Sequence, residues 1–250
     1  MDAIAERFRS LDDGHWAVGD LFRADSFDEF LMEEFLGGPE ISVETLSFDG
    51  RHVVVAVTDK QGLGGSSGFV ELGFSQPSAC SAETVREVTR LVTDFLDAVG
   101  LRDDPAHTEV KLTSRGPRIV ESHNRIGGDR INDLAEIAYG VDMERYALGT
   151  RFGVVEPLTA SPEPRGGAAL LILTPEPGRV VEVTGIDAVR ADPAFVDLQL
   201  EVEPGDETPP LTWNEDKVGH VIARGATATD AIAHGRRLAA AIHVRTEPVA

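Results

Sequence analysis

Asp49-Gly50 stands between two runs that alternate or run apolar as strands do: Ile41, Val43, Thr45 and Leu46 before it, and His52 to Thr58, with its VVVAV core, after it. The dipeptide supplies the positive φ values of a tight turn, so this stretch reads as an antiparallel hairpin. The period changes to two at Gly37-Gly38-Pro39. Before that point Ile4, Phe8 and Leu11 are spaced as on a helix, and a short apolar piece, Phe30-Leu31-Met32, precedes two acidic residues. After the hairpin, QGLGGSSG between Lys60 and Phe69 reads as a flexible loop, and Phe69 to Phe74 reads as a third strand ending at Gln76-Pro77. Ser81 then caps a helix whose residues Val85, Val88, Leu91, Val92, Phe95, Leu96 and Val99 share a face, and Gly100 closes it.

Two further strands follow, His107 to Leu112 and Arg118 to Ser122, joined by a turn at Ser114-Arg115-Gly116-Pro117. Asp129 is placed to cap a short helix through Ala138 that Tyr139 and Gly140 end. PLTASPEPRGG, Pro157 to Gly167, is the clearest linker. Beyond it Ala168 to Thr174, Arg179 to Thr184, Phe195 to Val202 and Val218 to Ala223 read as strands, and Thr229 to Ile242 as an Ala-rich helix. The fold class is α+β, an antiparallel sheet with helices, divided at the linker into 1–156 and a smaller β-rich part, 157–250.

Composition narrows the partners. Lys+Arg 23 against Asp+Glu 43 gives a net charge of −20, a field that repels phosphate backbones and anionic bilayers, so neither nucleic acid nor a membrane is an expected partner. The single cysteine, Cys80, forms no internal disulfide and no Cys/His zinc pattern. The first twenty residues carry charges throughout, and no run of eighteen apolar residues occurs, so the chain reads as cytoplasmic.

The chemistry gathers between residues 107 and 130. Counting outward from the 114–117 turn puts Glu109 close to Ser122, and a one-residue bulge would put it opposite Glu121. Two carboxylates forced together on neighbouring strands repel, and a hard divalent cation with oxygen ligands, Mg²⁺ first and Mn²⁺ second, relieves that. The competing reading is a set of solvated strand positions answered by Lys111, Arg115 and Arg125. His123 follows two residues after Glu121. Gly127-Gly128 leaves backbone N–H groups open to an anion, and Arg125 beside it adds a planar donor for phosphate or carboxylate. A cation site next to an anion cradle implies a metal-phosphate substrate.

Met32 to Lys60, MEEFLGGPEISVETLSFDGRHVVVAVTDK, and His107 to Leu134, HTEVKLTSRGPRIVESHNRIGGDRINDL, resemble the carboxylate–amine ligase branch of the ATP-grasp superfamily, nearest to its L-amino acid ligases. The resemblance runs from about Met32 through the last strands and implies the C-terminal half of an ATP-grasp fold followed by a small β-rich subdomain. It implies activation of a small carboxylate as an acyl phosphate by ATP and Mg²⁺, then attack by an amine. Carried over by position, Glu33, Glu34, Phe35 and Leu36 resemble the hinge that reads adenine, with Glu33 accepting from its amino group. Glu40 resembles the acid on the ribose hydroxyls, Glu109 and Glu121 the metal carboxylates, and Arg125 the arginine on the transferred phosphate. The family pattern Glu-x-Asn-x-Arg is Glu121-Ser122-His123-Asn124-Arg125 in this chain, which puts His123 at the third metal position. No Val-x-Lys-Pro strand and no Gly-Ser lid precede Met32, and Lys60 resembles a position outside the triphosphate cradle. The resemblance therefore implies a ligase whose N-terminal half comes from another polypeptide, or else a nucleotide- and metal-binding module that does no chemistry.

Overall fold

The computed structural model describes residues 33–64 and 70–249. The chain divides into two units, 1–36 and 37–250. In the first, the described residues 33–36 carry no regular secondary structure; the helical spacing of Ile4, Phe8 and Leu11 and the Phe30-Leu31-Met32 piece lie outside the described residues.

The second unit is built on the Asp-Gly hairpin. Strand β1 (Glu40–Phe48) and strand β2 (Arg51–Lys60) pair antiparallel around Asp49 and Gly50, at φ 50° and 79°, the two consecutive left-handed residues such a turn demands. The expected strand after the glycine loop is split into β4 (Val70–Glu71), which pairs with β3 (Leu63–Gly64), and β5 (Gly73–Gln76). Helix α1 (Ala82–Ala98) begins where Ser81 Oγ accepts from the Thr84 amide, and Val88, Val92 and Leu96 are buried against Ile41, Val43, Val54 and Val57 of the hairpin. Each of these burials contributes about 1.5–3 kcal/mol.

Strands β6 (Pro105–Thr113) and β7 (Gly116–His123) form the second hairpin. The connection is a two-residue turn, Ser114-Arg115, not the four-residue turn the sequence suggests, and Pro117 lies inside β7. Proline is tolerated there because β7 is the edge of the sheet. Helix α2 (Ile131–Tyr139) starts one step later than expected: its N-cap is Arg130, in a left-handed conformation and with no side-chain cap, and Asp129 makes no cap bond. Helix α3 (Met143–Gly149), capped by Asp142, follows at once.

Past the linker, β8 (Gly167–Ile172), β10 (Phe195–Leu200) and β12 (Gly219–Gly225) join the same sheet as the hairpins. Its eight strands run in the order β10-β12-β8-β5-β2-β1-β6-β7, all antiparallel, with Leu170 of β8 opposite Phe74 of β5 and Ile222 of β12. Segments on both sides of 157–167 therefore share one sheet. Strands β9 (Gly178–Thr184), β11 (Glu207–Thr208) and β13 (His243–Glu247) make a separate three-stranded sheet in the order β11-β9-β13. Helix α4 (Ile186–Arg190) follows β9, and helix α5 (Ala228–Ala241), opened by a Thr227–Asp230 capping box, buries Leu238 with Val221 and Ala223 of β12. A larger core under α2 joins Leu46, Phe48, Val55, Leu134, Met143, Leu170 and Ile222. The architecture is α+β with a dominant antiparallel sheet. Among the described residues no helix is long and apolar enough to cross a membrane.

Candidate functional site

The even-numbered residues of β1 share one face of the sheet, and that face changes character halfway. Leu46 and Phe48 enter the core under α2, whereas Glu40, Ser42 and Glu44 lie in register with Lys111, Glu109 and His107 of β6. Ser42 also faces Thr58 of β2. Residues i, i+2 and i+4 of two neighbouring strands thus build a polar half-face at one end of the sheet.

Lys60, the last residue of β2, stands in the middle of it. Its ammonium donates to Glu40, to Glu71 at 3.1 Å and to Glu109 at 2.9 Å, with 6% of the side chain exposed. Lys111 reaches the other oxygen of Glu40 at 2.9 Å. Burial opposes the Lys60 charge, but hydrogen bonds to Glu40 and Glu109 outweigh it and hold its pKa above the ordinary value.

A second ion pair lies behind the first. Glu44 is fully buried, accepting from Ser42 Oγ at 2.7 Å, Thr58 Oγ1 at 3.3 Å and His107 Nδ1 at 2.9 Å. His107 Nε2 is 3.7 Å from Glu109 Oε1. Burial disfavours the imidazolium, yet Glu109 and Glu44 push its pKa up to about 9. Burial likewise favours a protonated Glu109, but His107 and Lys60 beside it bring that carboxyl down to about 2. At neutral pH an imidazolium and an ammonium therefore flank the Glu109 carboxylate.

A bulge between Glu109 and Val110 sets Glu109 directly opposite Glu121. Glu121 and His123 bond each other, Oε1 to Nε2 at 3.0 Å, and both are about half exposed. Arg125 lies in the exposed turn after β7, its guanidinium donating to the carbonyl of Ile126 at 2.8 Å. Gly127 is buried: a Cβ there would stand 3.1 Å from Glu44 Oε2 and 3.2 Å from His107 Nδ1, so glycine is what lets this loop close over the ion pair. Asp129 and Arg130 follow at φ 46° and 60°. Lys217 donates to Asp129 at 2.8 Å, and Arg130 pairs with Asp133 and, at 3.1 Å, with Asp197 of β10.

Of the residues singled out in the sequence, the structure thus joins Glu40 to Glu109 through Lys60, and sets Glu109 opposite Glu121 by register. Glu33, Glu34, Phe35 and Leu36 belong to the other unit. Glu44, Glu71 and His107 went unnoticed in the sequence, although Glu40-x-Ser42-x-Glu44 and His107-x-Glu109-x-Lys111 announce a polar face at period two once both segments are strands. Among the described residues the cluster whose carboxylate oxygens lie within 4.8 Å of one another, the spacing a hard divalent cation needs, is Glu40, Glu71 and Glu109, closed around Lys60, with Glu71 Oε2 lacking a partner among the described residues; Glu121 and His123, expected beside Glu109 as metal ligands, stand outside it.

Comparison with known proteins bears on family and fold. Residues 16–133 match the family model of the ATP-grasp domain, and residues 171–247 match that of the L-amino acid ligase C-terminal domain 2. Carnosine synthase 1 of Gallus gallus is 30% identical over 152 residues, 60% of this chain and 16% of the synthase. The Mus musculus protein is 31% identical over 136 residues, 54% of this chain and 16% of the synthase. Among solved structures, an L-amino acid ligase from Bacillus licheniformis superposes with a TM-score of 0.76 at 22% identity, over 85% of this chain and 55% of that one. A phosphoribosylglycinamide synthetase from Anaerococcus prevotii superposes with a TM-score of 0.72 at 16% identity, over 86% and 55%. The chain spans about half the length of these two enzymes and 16% of the synthases.

Proposed function

As the chain belongs to the ATP-grasp superfamily, in the L-amino acid ligase branch of its carboxylate–amine ligases, we propose that it forms the metal and acyl-phosphate half of an enzyme joining a small carboxylate, such as an amino acid, to an amine. The observation that carries this reading is the pairing of Glu109 with Glu121 across β6 and β7, directly before the Arg125–Gly128 turn. Glu109 and Glu121, with His123, would hold Mg²⁺, and Mn²⁺ as an alternative. The cation, when bound, neutralises phosphate charge during transfer. Glu109 enters that role already deprotonated, with its pKa near 2. Arg125, on the exposed side of the turn, offers a planar donor pair to the transferred phosphoryl group or to the acyl phosphate. Glu40 would accept the ribose hydroxyls, exchanging part of its contact with Lys60 and Lys111.

By the resemblance, lysines or arginines on the β- and γ-phosphates would belong to the N-terminal half of the ATP-grasp fold, and an added polypeptide carrying that half is the partner this reading expects. A positioned lysine or arginine on those phosphates is worth roughly a thousandfold or more in rate. One observation favours the second reading, a binding module without chemistry: a lysine already fills the cluster of Glu40, Glu71 and Glu109.

Phosphate release with Mg-ATP across a panel of amino acids, with and without an added N-terminal half, tests both. The ligase reading expects release with the half added, abolished in Glu109→Ala/Glu121→Ala, and no release above that variant from residues 1–250 alone. Metal-dependent ATP binding with no release under any condition would favour the module.

A further inference from the structure

Resting on that reading of Glu109 as a metal carboxylate, we infer that His107 is a positioning residue, anchored on the buried Glu44, that fixes the Glu109 carboxylate and the Gly127 loop relative to each other. The two nitrogens of its ring face two carboxylates: Nδ1 is 2.9 Å from Glu44 Oε2 and Nε2 is 3.7 Å from Glu109 Oε1. The anchor is stiff. Glu44 has no exposure, sits in register with His107 across β1 and β6, and is held by Ser42 and Thr58 as well. With Nδ1 tied, the ring plane is set, and so is the direction from which Nε2 meets Glu109.

The loop passes close to the same point. Gly127 lies so close that a Cβ would come within 3.1–3.2 Å of Glu44 Oε2 and His107 Nδ1. The ion pair thus leaves room beside the Gly127 backbone for little more than hydrogen, two residues from Arg125. The expected cation end of the site, at Glu109, and its anion end, at Arg125 and Gly128, thus flank one close approach. Polar and charged groups from three strands face the ring: Glu44 from β1, Glu109 on its own strand, and His123, its register partner on β7.

The test uses side chains that keep one half of the imidazole's reach. Asparagine places an amide near Nδ1 and leaves Glu109 without its neighbour; glutamine reaches as far as Nε2. His107→Asn, His107→Gln and Gly127→Ala are titrated with ATP in Mn²⁺ and in EDTA by calorimetry, with Mn²⁺ electron paramagnetic resonance reporting bound metal and thermal melts reporting the fold. His107→Asn should lose Mn²⁺-dependent ATP affinity tenfold or more while its EDTA affinity equals that of the wild type, and His107→Gln should recover at least a third of the loss. Gly127→Ala keeps every hydrogen-bonding group of the pair and should lose threefold or more in Mn²⁺ alone; it decides the matter if the His107 variants do not fold. Unchanged Mn²⁺-dependent affinity in the folded variants, or equal losses in Mn²⁺ and in EDTA, overturns the positioning role and leaves the metal reading of Glu109 standing. A wild-type chain whose ATP binding ignores Mn²⁺ overturns both.

Discussion

His107 sits between two carboxylates in the sheet, and that environment makes the stability of the fold depend on pH. Its pKa rises from an ordinary value near 6.5 to about 9 on folding. The folded state therefore binds the proton more tightly, and the stabilisation is complete below about pH 6.5 and disappears as the pH passes 9. Melting temperatures should fall more steeply between those values in the wild type than in His107→Asn; parallel curves would contradict the assignment. Lys60 is bound by three carboxylates, so Lys60→Met leaves Glu40, Glu71 and Glu109 without their common cation. Breaking such a buried arrangement costs about 3–5 kcal/mol, a loss that urea denaturation at pH 7 should record; an unchanged midpoint would contradict it. In one dimension His107 is visible only as a member of the period-two run His107-x-Glu109-x-Lys111, and Lys60 belongs to no such run. A histidine or lysine in a strand is ordinarily solvated, and only the pairing of β1 with both β2 and β6 turns three separate segments into one polar face.

At the scale of single elements, the sequence signals that held are those with a local cause. Asp49-Gly50 makes its turn through its own backbone, and Ser81 caps α1 with its own hydroxyl, 3.1 Å from the Thr84 amide. Ser81→Ala should accordingly cost about 1 kcal/mol, measured as a shift in the urea midpoint with unchanged slope; no shift would mean the cap is replaced by water. Where tertiary context decides, the local reading fell short. The β6–β7 turn is shorter than its Gly-Pro content suggests because Gly116 and Pro117 are absorbed into an edge strand. Asp129 does not cap α2 because its carboxylate is taken by Lys217, eighty-eight residues away. The seven residues of α3 and the half-exposed β13 have too little buried periodicity to announce themselves.

The whole molecule is held together across the linker. Strand β8 lies between β5 and β12, and Leu170, 1% exposed, belongs to the core under α2 although it follows the linker in sequence. Leu170→Ala should cost about 2–5 kcal/mol. Residues 166–250 alone should show no cooperative thermal transition, because β8 would lose β5 as a neighbour and expose the apolar face that α2 covers; a sharp melt of that fragment would make it an independent domain. The order of strands could not be read in advance, since hairpin signals identify neighbours in sequence and say nothing of β8 meeting β5. The same assembly gives the account its central claim, that one polar half-face of this sheet binds ATP through a divalent cation. Calorimetric titration of ATP in the presence and absence of Mg²⁺ tests it most directly, with Glu109→Ala/Glu121→Ala and Glu40→Gln beside the wild type. The account predicts binding that Mg²⁺ strengthens, with that gain abolished by the double substitution and reduced less by Glu40→Gln. Binding indifferent to Mg²⁺, or equal losses in the two variants, would contradict it.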